Sequence, residues 1–214
     1  MNSRSSHDLR VQRTARIELA GELRGARELW IVIHGYAQTA TEMLTACEPL
    51  GREGRLLVAP EALSRFYRRG SSGPIGASWM TREAREREIA DYVAYLDEVA
   101  LWIRRELGCE LTPTVLGFSQ GVATAWRWTV LGSVRPMRLI ACGAGIPPDL
   151  DLAPVRAKLA ATQLDFVRGS EDSYHTAEWA ARDRARLAEL GLACQLHEFA
   201  GGHELPPDLL RGLE

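Results

Sequence analysis

The sequence predicts an α/β domain in which a mainly parallel sheet carries helices on both faces. Short apolar runs that end at Gly or Pro recur along the chain, and this pattern is typical of buried parallel strands. Helical periods separate the runs, and such alternation indicates crossover connections between parallel strands. A length of 214 residues suits one hydrophobic core. We therefore expect a single domain over residues 1–214, with a flexible tail at residues 1–12.

Six apolar runs are the candidate strands of this sheet. They cover residues 30–33, 56–59, 114–116, 139–142, 164–167 and 195–199. Residues 13–22 are predicted to add an edge strand and a turn. No repeat, low-complexity segment or linker interrupts the series.

Three stretches between these runs show helical patterns. The clearest spans about residues 83–107, where we expect Thr81 to cap the helix and Gly108 to end it. Its apolar stripe recurs at three- and four-residue steps and comprises Ile89, Tyr92, Val93, Leu96, Val99, Ala100, Ile103 and Leu107. Helices are also expected at about residues 176–190 and at residues 120–131, where small and apolar residues suit burial against a sheet.

Residues 61–80 fit neither pattern and are predicted to form a long loop. Loops of that length in compact domains are more often functional than accidental. We expect this one to form a wall of the functional site. The candidate substrate contacts in it are Phe66, Tyr67, Trp79 and Met80, for which ordinary packing is the alternative.

The same loop is rich in arginine. Arg65, Arg68 and Arg69 lie close to glycines that would let the loop move. Such arginines would recruit a substrate carboxylate or phosphate through charge-assisted hydrogen bonds. The alternative is that they only keep a long loop solvated.

Charge and cysteine content narrow the classes of function. The formal net charge is −2, so electrostatics gives no reason to expect a nucleic acid or an anionic membrane as partner. No apolar run approaches the ~20 residues that span a bilayer, and the N-terminus lacks the apolar core of a signal peptide. The four cysteines are widely spaced without a CxxC pair, which argues against a zinc site and for reduced core thiols. We expect a cytoplasmic protein without a metal ion, as a monomer or homodimer.

The strongest motif for chemistry is Gly-Phe-Ser-Gln-Gly at residues 117–121. It fits the pattern G-x-S-x-G and stands between a predicted strand and a predicted helix. So sharp a turn strains the backbone of Ser119, and glycines two positions either side avoid collisions. It also aims the Gln120 backbone N–H at the place where an oxyanion would form. An ordinary Gly-Ser turn is the alternative interpretation.

A serine hydroxyl needs a positioned base, and His203 is the best placed of the five histidines. It follows the last predicted strand through two glycines, where chains with this elbow carry their base. His197 lies within that strand, His34 precedes the elbow, and His175 follows the candidate acid. A solvated loop histidine is the alternative for His203.

The acid and the second oxyanion donor are expected in two other loops. Asp172 and Glu171 both qualify as the acid after the penultimate strand, since either carboxylate would hold the imidazole in the useful tautomer. The donor should follow the first apolar run, where Gly35 permits close approach of the backbone. The Tyr36 N–H is the first candidate and the Ala37 N–H the second.

Four ordered motifs resemble the phospholipase/carboxylesterase family of α/β-hydrolases, which includes the acyl-protein thioesterases. They are Ile-His-Gly-Tyr at residues 33–36, the elbow at 117–121, Gly-Ser-Glu-Asp at 169–172 and Gly-Gly-His at 201–203. The resemblance extends from about residue 28 to residue 205. It implies Asp172 rather than Glu171, because the family's acid lies three residues after the glycine. It also implies Tyr36 as the oxyanion donor, since this residue directly follows His-Gly.

Other segments resemble the esterases of that family more than its thioesterases. Residues 76–79 are similar to the family's tryptophan block, and residues 60–67 look like a subgroup described only as predicted esterases. Val122 stands where the thioesterases usually carry a second glycine after the elbow.

The residues and the resemblance together imply a serine esterase that needs no cofactor. Ser119 would attack the acyl carbon, His203 would carry the proton, and Asp172 would orient His203. A chain of this length leaves no room for a large cap, so we expect small-molecule esters with short-to-medium acyl groups. The alternatives are thioester or lysophospholipid hydrolysis, another reaction of the same triad, and a non-catalytic binding protein on the same fold.

Overall fold

The computed structural model describes residues 4–212, and a seven-stranded sheet forms its centre. The strands of this part of the chain are β1 (Ile17–Ala20), β2 (Glu28–Ile33), β3 (Arg55–Pro60), β4 (Ser64–Tyr67), β5 (Ile75–Ser78), β6 (Thr114–Phe118), β7 (Arg138–Cys142), β8 (Gln163–Gly169) and β9 (Gln195–Phe199). The helices are α1 (Ala40–Ala46), α2 (Arg85–Leu107), α3 (Gln120–Leu131), α4 (Arg156–Ala160), α5 (Ala177–Glu189) and α6 (Pro207–Gly212).

The order of the strands in the sheet is β1-β3-β2-β6-β7-β8-β9. Each of the six neighbouring pairs is parallel except β1 with β3, which is antiparallel at the edge. The predicted α/β class with a mainly parallel sheet is therefore confirmed. Because the strands are parallel, the loops that follow β2, β6, β8 and β9 meet at one edge of the sheet, where α/β folds bind their ligands.

Helices cover both faces of the sheet, and the alternation of side chains along the strands explains why. Ile31 and Ile33 of β2 point into a core beneath α2, α3, α4 and α5, whereas Trp30 and Val32 point into a second core beneath α1 and α6. Both faces of the central strands are thus apolar. This is the reason that the strands appear in the sequence as unbroken hydrophobic runs.

Two predictions about local structure are wrong. Thr81 does not cap α2, because its hydroxyl donates to the Glu83 carbonyl at 3.1 Å and Ala84, at φ 52°, is the cap residue. Gly108 does end this helix, with φ 68° in the left-handed region. Residues 61–80 are not an irregular loop, because β4 and β5 pair within them as an antiparallel hairpin.

The described part of the predicted tail lacks regular structure, and the four cysteines differ in burial. Residues 4–16 contain no helix or strand, and residues 1–3 of the predicted tail lie outside the described residues. The thiols of Cys47 and Cys142 are buried, and burial raises the pKa of Cys47 to about 12. Cys109 is exposed. Within residues 4–212, no helix combines the length and the apolar character that crossing a membrane requires.

Candidate active site

The turn between β6 and α3 has the geometry of a nucleophile elbow. Ser119 has φ 52° and ψ −119°, a backbone conformation that non-glycine residues rarely adopt. Its N–H donates to the Cys142 carbonyl of β7 at 2.9 Å. A Cβ atom at Gly117 would lie 2.5 Å from the Gly121 oxygen, and one at Gly121 would lie 2.1 Å from the Ile33 oxygen. Both glycines are therefore required by close backbone contacts around Ser119.

Three side chains from three loops form a continuous hydrogen-bonded chain. His203 Nδ1 lies 2.9 Å from Asp172 Oδ2, and Nε2 lies 2.8 Å from Ser119 Oγ. An ionised carboxylate only accepts, so Nδ1 carries the ring proton and Nε2 is free to accept from the serine hydroxyl. The loops after β6, β8 and β9 thus bring together the three residues that were predicted from the sequence and its resemblance.

The surroundings of Asp172 keep it ionised. Burial of the carboxyl group favours its neutral form, but hydrogen bonds from His203 and from the backbone N–H groups of His175 and Tyr174 together lower its pKa. The two N–H groups bind Oδ1 at 3.0 and 2.8 Å, which leaves Oδ2 for His203. The carboxylate is therefore both charged and fixed in orientation.

The other candidates for base and acid lie elsewhere. Glu171 is exposed, whereas Asp172 is buried. His197 lies 2.7 Å from Asp165, which also accepts from Arg138, so these three side chains form a separate hydrogen-bonded cluster across the strands. His175 contributes its backbone N–H to Asp172, and its buried ring faces Phe166.

The loop after β2, residues 34–38, is fixed by the fully buried His34. The Ala62 N–H donates to His34 Nε2 at 3.0 Å, so Nδ1 carries the proton and donates to the Gly35 carbonyl at 2.7 Å. The ring of Trp79 adds a bond from Nε1 to the His34 carbonyl at 2.9 Å. Gly35 N–H in turn donates to Gln38 Oε1 at 2.7 Å. The backbone of this loop is thus held from several directions.

The two candidate oxyanion donors in this loop differ in their availability. Ala37 N–H donates to the Ala77 carbonyl at 2.9 Å, so it cannot serve and this second choice is wrong. Tyr36 N–H donates to no group in the described part of the chain. Gln120 N–H is the first of α3 and has no acceptor within the helix. Among the described residues, the Tyr36 and Gln120 N–H groups are therefore both left without an acceptor.

The β4–β5 hairpin is attached to both of these elements. Ala77 exchanges backbone hydrogen bonds with Ala37 and Gln38. The Gln120 side chain accepts from Trp79 N–H at 3.0 Å and donates to the Met80 carbonyl at 3.0 Å. This second role of Gln120 was not predicted from the sequence, because its partners lie about 40 residues away along the chain and no local pattern marks the contact.

The four predicted substrate contacts of the hairpin occupy different environments. Trp79 is 3% exposed and packs on His34 and Tyr92, so it belongs to the core rather than to an open pocket wall. Met80 is half-buried, and its sulfur contacts Arg127. Phe66 stacks on Tyr36 beside the candidate site, with 5.4 Å between ring centroids. Tyr67 is half-exposed near the end of the hairpin.

The arginines of the hairpin are largely paired with acids. Arg68 forms an ion pair with Glu42, and Arg65 lies 2.5 Å from the buried Glu61. This pairing removes the reason to expect Arg68 to recruit an anionic substrate, because its charge is already matched. Arg69 is exposed and forms no ion pair within residues 4–212.

Comparison with solved structures supports the fold. The chain is similar to acyl-protein thioesterase 2 of Zea mays, with a TM-score of 0.73 and 15% identity over 94% of this chain and 98% of that one. It is also similar to the Bacillus cereus carboxylesterase, with a TM-score of 0.72 and 12% identity over 93% and 91% of the two chains. A phospholipase/carboxylesterase from Dyadobacter fermentans gives a TM-score of 0.68 and 15% identity over 95% and 97%.

Sequence comparison adds nothing to these structural matches. No protein-family model matches the chain, and no curated protein matches it in sequence. Identities this low establish a shared fold and leave the reaction open. The chain therefore has the α/β-hydrolase fold of the esterases and thioesterases that its four motifs resemble.

Proposed function

We propose that this protein is a serine hydrolase that cleaves carboxylic esters through an acyl-enzyme intermediate. The observation that carries the proposal is the hydrogen-bonded chain from Ser119 through His203 to Asp172, at 2.8 and 2.9 Å. A strained elbow and two free N–H groups near it support the same function, since a triad without an oxyanion site would be a poor catalyst.

The reaction follows from the positions of these groups. Ser119 Oγ attacks the acyl carbon while His203 Nε2 takes its proton, and Asp172 stabilises the imidazolium. The Tyr36 and Gln120 N–H groups bind the oxyanion, and each contributes about 3 kcal/mol to transition-state stabilisation. His203 then protonates the leaving alcohol, and a water molecule that it activates releases the acid and restores Ser119. No metal ion or cofactor takes part in these steps.

Esters with short-to-medium acyl groups are the proposed substrates. Residues 4–212 form the sheet, its helices and one small hairpin, and no connection between them is long enough to hold a large cap over Ser119. A rate that peaks at short or medium chains across p-nitrophenyl esters from C2 to C16 is expected. Rates that rise steadily to C16 and increase at a lipid interface would contradict this. Thioesters are the second candidate, because the same triad and oxyanion site would accept them.

Labelling with a fluorophosphonate tests the proposal directly. We expect wild type to be labelled at Ser119, and Ser119→Ala to show no labelling and no esterase activity. Ser170→Ala is the matched control, because Ser170 is exposed in the loop before Asp172. Equal labelling of wild type and Ser119→Ala would overturn the assignment of the nucleophile. A folded wild type that is neither labelled nor active on any ester would favour a binding protein.

A further inference from the structure

Exposed aromatic side chains border Ser119 on two sides. On the β2 side, the ring of Tyr36 is 59% exposed and stacks on Phe66. On the β8 side, the ring of Tyr174 is 76% exposed and lies 4.7 Å from the ring of His203. Ser119 stands between them, because β6 lies between β2 and β8 in the sheet. Aromatic side chains are, with aliphatic ones, the residues that line the apolar walls of ligand sites.

Tyr174 lies on the side of the leaving group, and the proton path shows why. His203 returns its proton to the oxygen of the departing alcohol, so the atoms attached to that oxygen come to lie beside the imidazole. Phe118, which is buried, contacts the imidazole from the interior with 5.1 Å between centroids. Tyr174 is the aromatic ring that contacts it from the solvent side, which is the side open to the rest of the alcohol.

The backbone fixes Tyr174 in this place. Its N–H donates to Asp172 Oδ1 at 2.8 Å, and the next N–H, that of His175, donates to the same oxygen at 3.0 Å. The turn that orients the acid therefore also determines where the Tyr174 side chain begins. A ring on a fixed backbone with only two side-chain torsions loses little conformational freedom when a ligand binds.

We propose that Tyr174 forms a leaving-group subsite that selects esters of aromatic alcohols over esters of saturated alcohols of the same size. This inference rests on the proposed esterase function. Contact between two aromatic rings stabilises a complex beyond the effect of the apolar area that is buried. This additional stabilisation corresponds to about a 2- to 10-fold increase in kcat/KM. Glu171 is in the loop that carries Tyr174, Glu204 directly follows His203, and both residues are exposed. Because their carboxylates would repel an anion, the subsite suits a neutral leaving group. Water cleaves such an ester to the carboxylic acid and the free aromatic alcohol.

A pair of matched substrates tests the subsite. Benzyl acetate and cyclohexylmethyl acetate have the same acyl group and the same number of carbon atoms, but only the first has an aromatic ring. Each kcat/KM is divided by the rate of hydroxide-catalysed hydrolysis, which removes the difference in intrinsic reactivity. We expect wild type to prefer the benzyl ester by about 2- to 10-fold. Burial of apolar area alone predicts no such preference, because the saturated ring is at least as apolar.

Three variants assign this preference to one ring. Tyr174→Leu should lower the ratio to about 1, since it keeps apolar area and removes the ring, and Tyr174→Phe should retain the ratio. Trp179→Leu is the control, because Trp179 is an exposed aromatic residue of α5 that stacks on Arg182 instead. Its ratio should equal that of wild type.

The outcomes separate this inference from the proposed function. Fluorophosphonate labelling and acetate hydrolysis by wild type report on the function, whereas the substrate ratio reports on the subsite. A wild-type ratio of 1 or less, or a preference that survives Tyr174→Leu, overturns the subsite and leaves the esterase intact. An equal loss of the ratio in Trp179→Leu also overturns it. If wild type shows no labelling and no hydrolysis, both the esterase function and the subsite are overturned.

Discussion

Asp172 and Glu171 are neighbours in one loop, yet their surroundings differ in the ways that matter for catalysis. Asp172 is buried and receives two backbone N–H groups in addition to His203. Glu171 is exposed, and only its backbone takes part in the loop, through a bond from its N–H to Gly201. Reasoning from the residues left these two open, because sequence order alone does not say which carboxylate turns inward. The resemblance to known hydrolases favoured the residue that the structure places beside His203.

The first prediction separates the two carboxylates by activity. Asp172→Asn should lower kcat by about 10⁴, because the amide favours the wrong tautomer of His203 and cannot stabilise its charged form. Glu171→Gln is the matched control and should change kcat by less than about 2-fold, since an exposed side chain outside the triad contributes little. Steady-state hydrolysis of p-nitrophenyl acetate measures both. A greater loss in Glu171→Gln would move the acid to Glu171.

At the scale of secondary structure, local sequence predicted the central strands and failed at the hairpin. The strands that cross the middle of the sheet are buried on both faces, so each appears as a continuous apolar run. Strand β4 (Ser64–Tyr67) and strand β5 (Ile75–Ser78) have only four residues each, and β4 alternates in exposure. Strand β5 also bonds through Ala77 to the loop at residues 34–38, and a short-range pattern does not record such a distant contact.

The second prediction concerns the contact between this hairpin and the oxyanion loop. A Cβ atom at Gly76 would lie 2.6 Å from the Ala37 oxygen, so Gly76→Ala must displace the hairpin or the loop that carries Tyr36. We expect kcat to fall by at least about 10-fold, because removing one oxyanion donor entirely costs 10²–10³. The free energy of unfolding should fall by about 1–3 kcal/mol, as overpacking does elsewhere.

A substitution on the same strand controls for general damage to the hairpin. Ile75→Ala removes a half-exposed side chain that pairs with Tyr67. It should change kcat by less than about 2-fold and the free energy of unfolding by less than about 1 kcal/mol. Equal losses of kcat in the two variants would show that the hairpin matters for folding alone, and not for the position of Tyr36.

Across the whole molecule, the candidate site follows from the direction of the strands. Ser119, Asp172 and His203 are separated by up to 84 residues along the chain, but each follows a parallel strand at the same edge of the sheet. Order along the chain was therefore enough to predict which loops would meet, although it left Asp172 and Glu171 both open as the acid. It was not enough to predict what supports them, such as the Gln120 amide or the ring of Tyr174. Those contacts depend on side-chain directions that only the packed molecule determines.

The buried His34 links this site to the stability of the whole molecule, and the last prediction concerns its protonation. Burial lowers the pKa of His34 from its ordinary value of 6.5, against the opposing effects of its bond to Gly35 and the charges of Glu61 and Glu42. The neutral ring is required by the structure, because Nε2 accepts from Ala62 N–H and has no room for a second proton.

The sign of the pH effect follows from proton binding in the two states. Below pH 6.5 the unfolded chain binds a proton at residue 34 while the folded chain does not, so the free energy of unfolding falls as the pH falls. The contribution of this one group is at most about 1.4 kcal/mol per pH unit. This contribution to the slope operates between pH 6.5 and the lowered pKa of His34 in the folded state. Above pH 6.5 the contribution disappears. Urea unfolding at pH 7.5, 6.5 and 5.5 measures the slope.

His34→Gln isolates the contribution of this residue, because glutamine keeps an amide donor and acceptor but does not titrate. The variant should be less stable than wild type at pH 7.5, since its amide cannot match both bonds of the ring. Its free energy of unfolding should nevertheless fall less steeply than that of wild type between pH 6.5 and 5.5. All other titrating groups are common to the two proteins, so their effects cancel in the difference between the slopes. Parallel slopes would mean that His34 gains its proton equally well in the folded and unfolded states.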